Sequence, residues 1–267
     1  MAITVMTFNL RYDKPDPGDC AWTVRRDLVA ERIRRYRPDL IGTQEGRPHQ
    51  LHDLLERLPE YRFIGRGRDL DGGGEHCAIF YRSGDFEREF QENFGLSNLS
   101  HIIGHVSADW TNNLSRMVTW GVFRAKAGGQ RLILFNTHLE NRKPFAQLRG
   151  IQLIRERLEA LPAEWSELPV FLTGDFNCEP ADAPRQALLP ALANGRRLID
   201  PLADWPAKKR ITYHRFHAEE LSYDSIYYDS RLKLLRLEAD QTEPGGICPS
   251  DHNTVIGIWD FASGSPK

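Results

Sequence analysis

The stretch PVFLTGDFN, residues 169–177, decides how this chain is read. Val170, Phe171 and Leu172 run without a charge into Thr173 and Gly174, and the run ends on Asp175, Phe176 and Asn177. A short, almost wholly apolar run marks a strand covered on both faces. A carboxylate at the end of such a strand is costly to desolvate unless it has partners or a use. Strand ends are also where a rigid sheet holds side chains in register around a cleft. On an extended backbone residues two apart share a face, so Asp175 and Asn177 are expected to point the same way.

The pattern repeats outward. ITVMTFNL (3–10), DLIGTQE (39–45), RFIGRG (62–67), CAIFYR (77–82), MVTWGVFRA (117–125) and RLILFNTHL (131–139) read as strands before it. SIYYD (225–229), LKLLRLEA (232–239) and TVIGIWDF (254–261) read as strands after it. Between them, PHQLHDLLERLP (48–59) sets Leu51, Leu54, Leu55 and Leu58 on one helical face. PFAQLRGIQLIRERLEAL (144–161) does the same with Phe145, Leu148, Ile151, Ile154, Leu158 and Leu161. Both open on proline, which suits a first helical turn. VRRDLVAERIRRYRP (24–38) is a third helix that stops before Pro38. This mixture predicts an α/β sandwich, sheets inside and helices outside. With no repeat, low-complexity stretch or linker, one domain is expected over 1–267. The long irregular segments 65–75, 98–115, 200–217 and 240–250 are candidate functional loops, and FASGSPK (261–267) reads as a frayed tail.

Composition narrows the class. Of 267 residues, 35 are Lys or Arg and 37 are Asp or Glu, a formal net charge of −2. That is not the charge of a chain built around a broad nucleic-acid footprint. Apolar residues are 40% and mean hydropathy is −0.50, which excludes a disordered chain and an integral membrane protein. Cys20, Cys77, Cys178 and Cys248 are sparse and without a C-x-x-C pair, so reduced thiols are expected. The N-terminus lacks the pattern of a signal peptide, which reads as cytoplasmic.

Polar residues collect at the strand ends. Asn9 follows ITVMTF, Glu45 follows DLIGTQ, His138 follows RLILFNT, and Asp251 and His252 immediately precede TVIGIW. Carboxylates and an amide oxygen are hard ligands, of the kind that hold Mg²⁺ with waters. Histidines can contact a phosphate or take a proton from water.

TFNLR (7–11), TQE (43–45), THL (137–139), GDFN (174–177), YDSIYYD (223–229) and SDH (250–252) stand in an order that resembles the endonuclease/exonuclease/phosphatase superfamily. That superfamily of metal-dependent phosphoesterases includes pancreatic deoxyribonuclease, abasic-site endonucleases, inositol polyphosphate 5-phosphatases, bacterial sphingomyelinases and deadenylases; this chain looks like a bacterial-type member. The resemblance implies a four-layer α/β sandwich with two central, mostly antiparallel sheets. It implies Glu45 as the principal Mg²⁺ ligand, supported by Asn9 and Asp251, with Mn²⁺ as the alternative metal. It implies that Asp175 orients the attacking water or a metal-bound group and that Asn177 contacts the phosphate in the transition state. His252, oriented by Asp224, would be general base or phosphate contact. His138 would contact a phosphate oxygen or assist the leaving group. Abasic-site endonucleases carry Tyr at that position, so His138 groups the chain with the other branches. Glu75 is the candidate partner of His138, and Arg116 the candidate substrate-facing arginine.

Plainer readings compete for other residues. The arginines of 24–38 are interleaved with Asp27 and Glu31 and read as a solvated face. GRGRDLDGGGE (65–75) lacks the G-K-[ST] ending of a P-loop, and the resemblance implies a flexible rim there. Cys178 reads as a structural thiol.

The expected activity is hydrolysis of a phosphodiester or phosphomonoester by metal-assisted in-line attack of water. A small phosphorylated metabolite is favoured, held by Trp110, Asn112, Asn113, Arg142, Tyr213 and His214. A nuclease on DNA or RNA is the rival, and a catalytically silent binding domain the reading from another class. No membrane insertion and a monomer are expected.

Overall fold

A computed structural model describes residues 2–110 and 114–260. Asn112, Asn113 and the 261–267 tail lie outside the described residues. Among the described residues, twelve strands form two six-stranded sheets. The first contains β1 (Ala2–Asn9), β2 (Leu40–Gln44), β3 (Tyr61–Ile64), β4 (Ile79–Arg82), β11 (Lys233–Asp240) and β12 (Thr254–Asp260), in the order β11-β12-β1-β2-β4-β3. The second contains β5 (Phe86–Gly95), β6 (Met117–Ala125), β7 (Arg131–His138), β8 (Val170–Asp175), β9 (Leu198–Ile199) and β10 (Asp224–Asp229), in the order β5-β6-β7-β8-β10-β9. Only β1–β2 and β7–β8 pair in parallel among the named strands, so the sheets are mixed and mostly antiparallel, as expected.

Helices α1 (Trp22–Tyr36) and α2 (Pro48–Arg57) cover the first sheet, and α3 (Pro144–Glu159) covers the second. A short helix, α4 (Ala183–Gln186), follows β8. Both α2 and α3 begin on proline. The central strands are apolar on both faces because each face enters a different core. Ile3 and Val5 enter the core between the sheets, while Met6 and Phe8 enter the core beneath α1 and α2.

That inter-sheet face changes character along the chain direction. On β1 its residues run Ile3, Val5, Thr7, Asn9; on β7, Leu132, Leu134, Asn136, His138; on β8, Phe171, Thr173, Asp175. Each strand passes from hydrocarbon to polar groups at its C-terminal end. The polar layer is cross-linked: Gln44 Nε2 donates to Asn136 Oδ1 (2.7 Å), and Asn136 Nδ2 donates to the Thr43 and Ala78 carbonyls (2.8 and 2.9 Å). Gly42 permits this approach, because a Cβ there would lie 2.0 Å from Thr173 Oγ1 and 2.6 Å from Asn136 Oδ1. Gly42→Ala is therefore expected to destabilise the fold by about 2–3 kcal/mol through overpacking. A urea midpoint equal to wild type would show that the sheets can part.

Two expectations are corrected. The arginine-rich helix is not uniformly solvated. Arg25 and Arg32 are buried. Arg25 donates to the carbonyls of Cys20 (2.8 Å), Leu10 (3.0 Å) and Pro249 (2.7 Å), and Arg32 pairs with Asp240 at 3.3 Å. Full carbonyl coordination is what lets a guanidinium be buried. Nor is 65–75 a loose rim. His76 bridges to both Gly46 and Gly67, and Arg68 N–H donates to the Glu75 carbonyl at 3.0 Å. The structure also adds β5 and β9, whose sequences carry no clean strand pattern. No helix among the described residues is long and apolar enough to cross a membrane. All four cysteines are unpaired.

Candidate active site

The polar ends of the strands meet in one row. Register places His138 beside Asp175 across the parallel β7–β8 pair, and Asp175 beside Asp224 across the antiparallel β8–β10 pair. His252, from the turn before β12, closes on this row. Its Nδ1 lies 2.8 Å from Asp224 Oδ2 and its Nε2 lies 3.7 Å from Asp175 Oδ2. His138 Nε2 is 3.4 Å from the same Asp175 oxygen. From the facing sheet, Asn9 Nδ2 donates to Asp175 Oδ2 (2.9 Å), and the Asn177 N–H donates to Oδ1 (2.9 Å). All of these groups except Asn177 are buried.

Three residues just past strand ends lie in the left-handed region: Arg11 (φ 56°), Glu45 (φ 64°) and Asn177 (φ 51°). For residues other than glycine this stores strain that the surroundings must hold, and it is typical of functional sites. At Asn177 it overturns the extended-backbone expectation. The chain turns after Asp175, and the Asn177 amide donates to the Leu139 carbonyl at 3.0 Å. At Glu45 it aims the carboxylate across the cleft, where Oε2 accepts the Tyr12 N–H at 2.9 Å.

The electrostatics divide the groups. Burial works against a charged His252, but the carboxylates of Asp224, Asp175 and Asp251 outweigh it and push its pKa up to about 10. Burial, then Asp224, raises Asp175 to about 6. Burial and the nearby Arg116, Arg68 and His252 hold His138 well below the usual imidazole range. Burial and Asp251 raise Glu45. Ligand atoms of Glu45, His138 and Asp175 lie within 4.8 Å of one another. A crowd of hard oxygens that raise each other's pKa fits a divalent cation. Asn9 fits less well as a ligand than expected, because its Oδ1 accepts the Arg11 N–H (2.9 Å) while its amide holds Asp175.

A profile of the Endonuclease/Exonuclease/phosphatase family matches residues 6–252. The chain belongs to that family. Its members are divalent-metal-dependent hydrolases of phosphate esters. Carbon catabolite repressor protein 4 homolog 1 of Arabidopsis thaliana is 26% identical over 255 residues, covering 79% of this chain and 41% of that protein. Human Nocturnin is 23% identical over 268 residues, covering 91% of this chain and 59% of that protein. The chain thus spans less than two thirds of either relative. Among solved structures, a mannosyl-6-phosphatase of Bacteroides thetaiotaomicron superposes with a TM-score of 0.86 at 29% identity, over 97% of this chain and 100% of that one. An endonuclease/exonuclease/phosphatase from Bacteroides vulgatus gives 0.86 at 28% identity, over 97% and 99%.

The cluster around Asp175 opens into a cleft of about 620 Å³. Glu45, Glu75, Arg116, His138, Arg142, Asp175, Asn177, Asp251 and His252 line it, and Asp224 stands behind His252. Glu75 does not hydrogen-bond His138. It pairs with Arg68 Nη2 at 2.7 Å, the nearer cation of the hairpin. Trp110 is away from the cleft, 3% exposed with the Arg149 guanidinium 5.4 Å from its ring, because its 3₁₀ turn packs on α3. His214 is also outside, in a neighbouring depression, since its backbone rather than its ring faces Asp251. Tyr213 does form a wall, stacked on Tyr223 with centroids 5.3 Å apart and ring planes 10° apart.

Sequence reasoning missed Arg11, Arg47, Arg68 and Tyr223 in the cleft wall. It also missed Arg25, which ties the loop after β1 to the Pro249 carbonyl beside SDH. Their only signal was proximity to a motif, as with Arg11 in TFNLR.

Proposed function

We propose that this chain hydrolyses the phosphate monoester of a small phosphorylated metabolite, of the sugar-phosphate class, with Mg²⁺ as cofactor. The observation that carries this is Arg116. Its guanidinium is buried at the cleft, and Nε and Nη1 have no hydrogen-bond partner. A buried, unpaired guanidinium beside His138 calls for an anionic ligand, and planar donors suit phosphate. The cleft volume is that of a small-molecule site, and the Tyr213–Tyr223 wall suits packing against a sugar ring. The mannosyl-6-phosphatase likeness points the same way.

Mg²⁺, held by Glu45 with Asp175 and Asp251 in reach, would supply positive charge to the phosphoryl and leaving oxygens. Asp175, fixed by Asn9 and the Asn177 N–H, takes the proton of the attacking water. Its pKa near 6 suits a base working close to neutrality. His252, kept protonated by Asp224, donates to a phosphoryl oxygen. Arg116 binds a second one, and neutral His138 stands at the leaving-group side.

The expected pH profile of kcat/KM follows. Asp175 must be ionised, so the rate rises as pH climbs through about 6. His252 must be protonated, so the rate falls only as pH climbs through about 10. A bound cation favours ionised Asp175 and shifts the lower limb down. A rate that instead keeps rising as pH climbs toward about 10 would make His252 the base, since a base must be deprotonated.

The reading is tested with sugar 6-phosphates, p-nitrophenyl phosphate, bis-p-nitrophenyl phosphate, plasmid DNA and single-stranded RNA, each with Mg²⁺, with Mn²⁺ and with EDTA. Chelator-sensitive release of phosphate from the monoesters is expected. Polymer cleavage with a steep salt dependence would establish the nuclease reading instead, since each phosphate contact releases counterions. Silence throughout would favour a binding domain.

A further inference from the structure

Behind the Tyr213 wall lies a second cluster, chemically unlike the first. Tyr213 bridges to Leu221 and to His252, and the N–H groups of His214 and Arg215 donate to the Asp251 carbonyl (3.0 and 3.2 Å). The chain then takes three consecutive left-handed residues, Arg215 (φ 44°), Phe216 (φ 52°) and His217 (φ 73°). This turn returns the His217 ring to within 5.7 Å of the His214 ring. Cys248 Sγ lies 3.4 Å from His217 Nε2, and Glu243 Oε1 lies 3.5 Å from the same nitrogen. The ligand atoms of His214, His217 and Cys248 all fall within 4.8 Å of one another.

We propose that His214, His217 and Cys248 bind one zinc ion distinct from the catalytic cation, with water in the fourth position and Glu243 beside His217. The spacing is that of ligands on one tetrahedral metal: zinc–sulfur and zinc–nitrogen bonds of their usual lengths set S and N about 3.5 Å apart. The donors are imidazole and thiolate, which select zinc, whereas the catalytic centre offers hard oxygens. The cluster's internal contacts do not satisfy it. His214 is 8% exposed, and its Nδ1 is buried without a hydrogen-bond partner. A cation would satisfy that nitrogen and neutralise Glu243 at once. The adjoining depression of about 180 Å³, lined by His214, His217 and Glu243, gives the ion a way in. The site's effect is structural. It clamps the left-handed turn and so fixes Tyr213, Glu219 and the Asp251 backbone at the cleft.

The test uses the full chain and a Glu45→Ala chain, in which the catalytic cation is weakened. Zinc is counted by mass spectrometry after exhaustive dialysis, and cobalt(II) is titrated as a spectroscopic probe. One retained zinc per chain is expected in both, with a thiolate-to-cobalt charge-transfer band. Cys248→Ser should lose the band and the zinc. His217 is 62% exposed, so His217→Ala keeps the fold and should weaken zinc binding at least about 100-fold. Zinc retained equally by wild type and both variants, or not retained by wild type, overturns the site whether or not the chain is a phosphoesterase.

Discussion

Asp175→Asn is expected to lower kcat at least about 1000-fold while the chain stays folded, the size of loss seen when a general base is removed from a preorganised site. The substitution keeps the side chain's volume and leaves the β7–β8–β10 register untouched. What it removes is the oxygen on which the site converges. Oδ2 accepts the Asn9 amide at 2.9 Å and lies 3.4 Å from His138 and 3.7 Å from His252. An amide nitrogen there would face donors and could accept no proton. Binding should suffer less than turnover, because Arg116 and His252 remain, so the loss should fall in kcat more than in KM. Initial rates with the best monoester, beside near-ultraviolet circular dichroism, measure both points. A folded variant within about 10-fold of wild type would remove Asp175 as the base, since that is below the usual worth of such a group.

The legible part of the molecule was what local chemistry fixes. PVFLTGDFN reads as a doubly covered strand because Phe171 and Leu172 must enter different cores, and they do. His138, Asp175, Asp224 and His252 stood out because a charged group bordering an apolar run loses water, and only a partner or a use offsets that cost. β5 was not legible. Its sequence FEREFQENFG is an edge strand whose alternation is broken by a bulge between Arg88 and Phe90. Its glutamates are offset by Arg124 and Arg131 from β6 and β7, which only the fold brings near. The arginines of the site escaped for the same reason. Exposure is the default for arginine, and nothing in the sequence around Arg25 announces that four carbonyls from two loops will surround it. Glu75 does reach the cleft, but its partner was decided by a hairpin bringing Arg68 closer. Asn177 departs from the extended backbone that its neighbours suggest, and its left-handed turn depends on the Leu139 carbonyl from a neighbouring strand end.

Arg116→Met should separate function from stability in opposite directions. The side chain is 4% exposed, with Nε and Nη1 unpartnered. Burial, then the neighbouring Arg68, lowers its pKa, and Glu75, Glu140 and Asp175 only partly offset this. A charge so placed costs the empty fold free energy, because its desolvation is not matched by partners. Methionine fills similar space with no charge to satisfy. The variant should therefore unfold at a higher temperature than wild type, by the equivalent of about 1 kcal/mol or more. Its kcat/KM should fall at least about 100-fold, the usual loss for one buried donor to a developing phosphoryl charge. Inorganic phosphate should raise the wild-type midpoint and leave the variant's nearly unmoved, since a ligand stabilises only the state it binds. A variant that melts well below wild type and keeps its kcat/KM would make Arg116 a structural residue and withdraw the observation on which the phosphate site rests. Higher stability with lost turnover would instead mean that the chain keeps a destabilising arginine for its ligand: the guanidinium is an incomplete ion pair whose missing partner is the substrate.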